Sequence, residues 1–380
     1  MKYFVKIIAL VFLLYSCTQD FMLKKFTGES GGHLLYGGSN MRSFYEPVSI
    51  SDSLLLKWES STFGSYNNSS VIAYDNYIIT HDLSGSIHFF DRDMGNELGV
   101  LKFPGSIASV PIINKTRMFF IVNNNGEKFA TVYCYELKQG KVISKVNIDG
   151  SYSTEILKTN NALYFVSDEG EVFRFNFAGL QDWKYSTGTK TLSTPAMINN
   201  KIVFVSINGE VIIFDADAKK ISARRKIGKG FFSGVTVSGK YGYAGDSEGN
   251  IYCFDVDSAN VIWKSETKYK ITSLPVMNEK YLYIANLFGL VSCFDKESGA
   301  AVWQSKIGGA PITTPFLFRN YLIQPNLDRY LYLIDAADGK VVKKILTGGR
   351  MKLTPVYYKG LLITGYDKGN IGAFEIMEIK

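Results

Sequence analysis

Histidine is nearly absent from this sequence, with three residues in 380, and cysteine is scarce, with four. His33, His81 and His88 are too few for a histidine-built metal site, and only the last two are near each other. No two cysteines are adjacent, which excludes a vicinal disulfide. Helical apolar spacing is hard to find after the first twenty residues. Charge of one sign is nowhere concentrated. The net charge of +7 falls to +5 if Lys2 and Lys6 leave with a leader, and the one dense basic run is KKISARRK at positions 219–226. A nucleic-acid reader gathers its cations on one face, so no nucleic-acid partner is expected. The run reads instead as a solvated strand edge, where charge deters edge-to-edge pairing.

What the chain does hold is aromatic residues and glycine: 26 Phe, 24 Tyr and 35 Gly. Aromatic and β-branched side chains suit a pleated surface, and Gly supplies the positive φ of tight turns. The composition predicts an all-β protein.

The first residues, MKYFVKIIALVFLLYSC, join a basic start to an apolar run from Ile7 to Leu14. That run is too short to span a bilayer and reads as the core of a signal peptide. Leu14-Tyr15-Ser16-Cys17 resembles a bacterial lipoprotein box. The resemblance implies cleavage before Cys17, lipidation of Cys17 and attachment to a membrane surface. Thr18, standing where an Asp would favour the inner membrane, implies sorting to the outer membrane. The expected division is a signal peptide over 1–16, a lipidated tether over 17–33 and one domain over 34–380.

That domain repeats itself. GEVIIFDA at positions 209–216 returns as GNIYCFDV, GLVSCFDK, RYLYLIDA and GNIGAFEI. The phrase ends at Asp91, Glu136, Asn176, Asp215, Asp255, Asp295, Asp335 and Glu375, at steps of 45, 40, 39, 40, 40, 40 and 40. Trp183, Trp263 and Trp303 lie at multiples of 40 from one another, and Trp58 lies 125 before Trp183, three periods plus the same five-residue excess. Pro111, Pro195, Pro275, Pro315 and Pro355 form a third landmark in register. One copy parses as four strands, TTPFLF, NYLIQ, RYLYLID and KVVKKIL, with turn signals between them. A period near 40 with four strands per unit predicts propeller blades. The last unit lacks a fourth strand and the chain opens with an orphan one, SLLLKWES, so the N-terminal strand is expected to close a ring of eight blades.

The units resemble the pyrroloquinoline-quinone-like (PQQ-like) repeat, of which SGAAVWQSKIGG is the best copy, and YGGSNMRSFYEP is similar to the lead-in segment of such propellers. With the lipoprotein box and the chain length, the arrangement resembles the BamB family, lipoproteins of the outer-membrane β-barrel assembly machinery. That resemblance implies a non-enzymatic scaffold on the periplasmic side of the outer membrane, whose protein partner is a barrel insertase or its clients. Quinoprotein dehydrogenases share the propeller, which leaves a quinone-cofactor oxidoreductase or a ligand sensor as one alternative. A surface lipoprotein binding an extracellular polymer is another.

No catalytic, metal or cofactor-binding residue is expected. The repeating acids sit where a strand meets a turn, a place where Asp accepts the N–H groups of the turn. Cys134, Cys253 and Cys293 each fall two residues before the repeat's acid, an inward position, and are expected as core filler. Arg174 breaks the pattern at that same position, snorkelling or pairing with an acid. The candidate partner-binding face is the one carrying both the loops between second and third strands and the crossings between blades. Its loops offer Leu83, Leu287, Phe288 and Leu327, and blade two is expected to hold its five extra residues in the loop NNNGEKF. The crossings offer Phe63, Tyr66, Tyr152, Phe231, Phe232 and Tyr269, with a basic set of Lys190, Lys270 and Arg350.

Overall fold

The period resolves in space into eight four-stranded antiparallel sheets, two of them with one extra strand, in a computed structural model that describes residues 21–24, 26, 27 and 32–379. Each sheet is a meander whose first strand lies innermost and whose fourth lies at the rim. Blade 7 shows the pattern, with Phe316–Phe318, Tyr321–Pro325, Tyr330–Asp335 and Val341–Leu346 paired in order. Its second and third strands are buried almost throughout because neighbouring blades cover both faces. The rim strand alternates exposed and half-buried residues, with only one face covered. The basic run is such a rim strand, Lys220–Lys226 of blade 4, where Arg224 pairs with Glu210 at 2.8 Å.

The ring closes without a covalent link. Ser49–Ser61 pairs antiparallel with Asn370–Ile379, Leu54 facing Ile376 and Trp58 facing Ala373, so the N-terminal strand is the fourth strand of blade 8. The tether boundary placed at 34 needs correction. Gly32 and His33 already form a strand against Tyr74 and Ala73 of blade 1. Tyr45–Glu46 adds, in parallel, to the innermost strand of blade 7.

The landmarks of the repeat have physical roles. The Asp that ends the third strand in blades 1, 4, 5, 6 and 7 accepts turn N–H groups, as Asp215 Oδ1 does from Asp217 at 3.0 Å and Ala218 at 2.8 Å, and Asn176 does so in blade 3, whereas Glu375 lies within its strand. The tryptophans join blades. Trp58, Trp263 and Trp303 each donate Nε1–H to a carbonyl in the next blade's turn, at Arg92, Lys296 and Ala336. Each ring lies on that turn's glycine, Gly95, Gly299 or Gly339, which is left-handed and has no room for a Cβ. Trp183 packs instead on Phe214 of blade 4. Cys134, Cys253 and Cys293 are buried and unpaired, and burial pushes their thiols up to about 11, 12 and 12.

The five extra residues of blade 2 correct the expectation of a long loop. Arg117–Asn123 and Phe129–Glu136 have seven and eight residues where blade 1 has five and six, so most of the insertion lengthens the hairpin arms. Its rim strand, Lys141–Asp149, grows with them because each added residue keeps a ladder partner.

Candidate partner-binding face

On one side of the ring, each second-to-third loop is bonded to the crossing that precedes its blade. Leu83 N–H donates to Ser65 O, Ile207 to Lys190, Ser247 to Gly230, Leu287 to Lys270, Leu327 to Ala310 and Asp367 to Arg350, over 2.8–3.2 Å. These bonds fix the two sets of loops into one surface, so side chains on it are held rather than waving.

The predicted apolar residues divide there. Phe232, Tyr269 and Phe288 are exposed and grouped around the crossings into blades 5 and 6. The rings of Tyr269 and Phe288 stack with centroids 4.3 Å apart. Lys270 Nζ stands 4.0 Å over the Phe232 ring, and Lys306 Nζ stands 3.2 Å over that of Phe288. Leu287, beside Phe288, is half-buried. Leu83 is exposed near Phe63, which is 92% exposed, on the crossing into blade 1; Leu327 is half-buried on blade 7. The face therefore carries one aromatic–cation cluster and separate apolar points.

Three aromatic residues do not belong to the surface. Phe231, Tyr66 and Tyr152 are buried. Phe231 turns inward and meets Tyr252 edge-on at 5.8 Å, Tyr66 donates to Gly369 O, and Tyr152 donates to Asp149 O. The basic set is also not three free cations. Lys190 pairs with Glu169 at 2.9 Å and Arg350 with Asp367 at 2.6 Å, both exposed, while Lys270 covers an aromatic ring. Lys306, at the end of a rim strand, was missed because it lies outside the loops.

The axis of the ring is filled from the opposite side by the lead-in segment. Asn40 O accepts from Met197 N, Met41 O from Val237 N and Phe44 O from Leu317 N, which ties the segment to the innermost strands of blades 4, 5 and 7. At its centre Arg42 is wholly buried. Its guanidinium donates to the carbonyls of Tyr36, Ile156 and Pro195 at 2.9–3.0 Å and to that of Glu155 at 3.5 Å. Burial lowers its pKa to about 10. Burial likewise raises Glu155 to about 7, although Ser69 Oγ and Val110 N donate to its two oxygens at 2.6 and 2.7 Å. Tyr36 floors a cavity of about 260 Å³ that opens on the candidate face and is lined by uncharged side chains, among them Asn67, Asn68, Thr194, Phe232 and Thr272.

Two other residues singled out in the sequence find partners here. Arg174 pairs with Asp182 and lies over the Tyr164 ring. His88 is held between Asp82 at 3.3 Å and Glu97 at 2.6 Å, and no three such side chains among the described residues are placed to hold a metal ion. Cys17 lies outside them.

The family model described as outer membrane protein assembly factor BamB matches residues 181–265 and 247–377. Among solved structures, BamB from Moraxella catarrhalis superposes with a TM-score of 0.69 at 13% identity, covering 85% of this chain and 100% of its own. The computationally designed protein Ika8 superposes at 0.71 and 11% identity, covering 86% and 100%. Quinohemoprotein alcohol dehydrogenase from Comamonas testosteroni superposes at 0.76 and 10% identity, covering 90% and 80%. At such identities the likenesses show the fold alone. None of the curated protein sequences compared with the chain matches it.

Proposed function

Because this chain belongs to the family of outer membrane protein assembly factor BamB, propellers of PQQ-like repeats, we propose that it is a non-enzymatic interaction scaffold. In this reading Cys17 carries the lipid, the domain hangs on the periplasmic side of the outer membrane, and its partner is a β-barrel insertase or a barrel precursor. The observation that carries the reading is the exposed cluster of Phe232, Tyr269 and Phe288 under Lys270 and Lys306. Rigid aromatic anchors beside cations are what protein interfaces use for affinity.

The oxidoreductase reading is weaker on chemical grounds. A quinone cofactor with three carboxylates asks for cations around a planar slot. The cation at this axis, Arg42, is spent on backbone carbonyls, and uncharged residues line the cavity above it. These residues do not fit the cofactor. The buried, up-shifted thiols are no nucleophiles, since thiolate is the reactive form.

The test is cross-linking in native membranes followed by capture of the full-length protein and mass spectrometry. An outer-membrane barrel insertase in the captured material supports the scaffold. Its absence, together with a raised melting temperature on adding the quinone and Ca²⁺, transfers the reading to a cofactor-binding propeller.

A further inference from the structure

The seam between blades 1 and 2 lacks the tryptophan that joins four other pairs of blades, as do the seams after blades 2, 4 and 7, where Ser144, Ala223 and Lys343 hold its position. Counting from the repeat's acid, the position of Trp263 and Trp303 is held here by Gly99, and the turn glycine is Gly140. The N-terminal segment fills the gap. A Cβ on Gly99 would meet Phe21 Cδ2 at 2.2 Å, and one on Gly140 would meet Met22 Cβ and Phe21 O at 3.3 Å. The Phe21 ring lies 4.5 Å from that of Phe89. The backbone is held as well, for Tyr135 donates its hydroxyl to Phe21 O at 2.7 Å and Leu23 N–H donates to Leu137 O at 2.9 Å. Phe21 thus stands in for a residue of the repeat.

We infer that this dock seats the propeller directly on the bilayer, with the outer corner of blades 1 and 2 against anionic phospholipid headgroups. The inference rests on the proposed lipid at Cys17. Four residue steps separate Cys17 from Phe21, a reach of at most about 14 Å, or about half the thickness of a bilayer's hydrocarbon core. So short a leash keeps the docked corner within about 14 Å of the membrane surface. The corner also has the right chemistry. Met22, Val142 and Ile143 are exposed apolar residues, and Lys24, Lys138 and Lys141 are exposed cations. No acidic residue occurs from Leu137 to Ile148. Apolar side chains interleaved with lysines bind an anionic membrane surface, the former entering the headgroup layer and the latter meeting phosphate.

The experiment uses full-length lipoprotein in phosphatidylethanolamine vesicles containing phosphatidylglycerol, with a nitroxide on Val142→Cys or Ile262→Cys. Ile262 is exposed one residue beyond Val261, the counterpart of Val142, on the rim of blade 5, across the ring. The label at 142 is expected to collide with lipid-soluble oxygen and the label at 262 with a water-soluble nickel chelate. Gly99→Trp restores the seam's own tryptophan and evicts Phe21, so it should move label 142 into water without lowering the melting temperature. Phe21→Ala gives the same release if that variant fails to fold. Equal exposure of both labels to water, with the mass of a lipid on Cys17, overturns the seating and leaves the anchor standing. A Cys17 without lipid overturns both.

Discussion

Gly339 lies beneath the ring of Trp303 with a φ of +78°, so that an added Cβ would fall 2.5 Å from Trp303 Cε3. The pair joins blade 6 to blade 7, and Trp303 Nε1–H completes it by donating to Ala336 O at 3.1 Å. Gly339→Ala is expected to cost about 2 kcal/mol or more, since it combines left-handed strain with a displaced ring. Trp303→Phe keeps much of the packing and should cost less, about 1 kcal/mol for the lost hydrogen bond. Denaturant midpoints of the two variants check the order.

Arg42 should be indispensable to the fold without being part of any chemistry. Arg42→Met leaves buried carbonyls of Tyr36, Ile156 and Pro195 without donors, at an expected cost of about 3 kcal/mol or more. Arg42→Lys should rescue little, because an ammonium cannot reproduce the guanidinium's planar fork. Thermal unfolding of both variants tests this.

Acid should weaken the protein through His81. It is 1% exposed, and burial lowers its pKa to about 4, against Asp82, which raises it. The Ala108 backbone raises it as well, though neither ring nitrogen completes a hydrogen bond with a described residue. A histidine depressed below its unfolded value supports the fold fully above about pH 6.5 and loses that support as pH falls toward 4. At the bottom of that window the loss is on the order of 3 kcal/mol. His81→Leu should leave stability at pH 7.5 nearly unchanged and remove this part of the acid loss. Chemical unfolding at a series of pH values reads it directly.

Arg329 is a residue out of place. It takes φ of +71° at the loop position where blades 1, 3, 4, 5, 6 and 8 use glycine. Arg329→Gly should stabilise the protein by about 0.5–1 kcal/mol, by relief of left-handed strain in a side-chain-bearing residue. A melting temperature that falls on this substitution would show that the arginine side chain stabilises more than its backbone costs.

Blades, ring closure and the tryptophan phase were legible because a 40-residue repeat states each interaction several times. The plug was not. Arg42 meets its acceptors 113 and 153 residues away through backbone carbonyls, which carry no side-chain signature. Phe231 and Phe232 could have been told apart. The crossings keep the 40-residue step, and Phe231 falls in phase with Thr191, Ile271 and Met351, all buried, while Phe232 falls in phase with Leu192 and Lys352, which are not. The pairing of Lys190 with Glu169 and of Arg350 with Asp367 was within reach, since both acids stand in loops known to share a face with those cations. So was the dock of Phe21, for the tryptophan phase falls on Gly99 and leaves a vacancy to be filled.

The most direct measurement replaces Phe288 with a photo-cross-linking amino acid in cells and compares it with the same replacement at Leu346. Both residues are at least half exposed, but Leu346 lies on the rim of blade 7, outside the aromatic–cation cluster. The scaffold account predicts an adduct with an outer-membrane barrel insertase or a barrel precursor at 288 and none at 346. Adducts of equal yield at both sites, or none at 288 in a protein that is folded and membrane-bound, would contradict it.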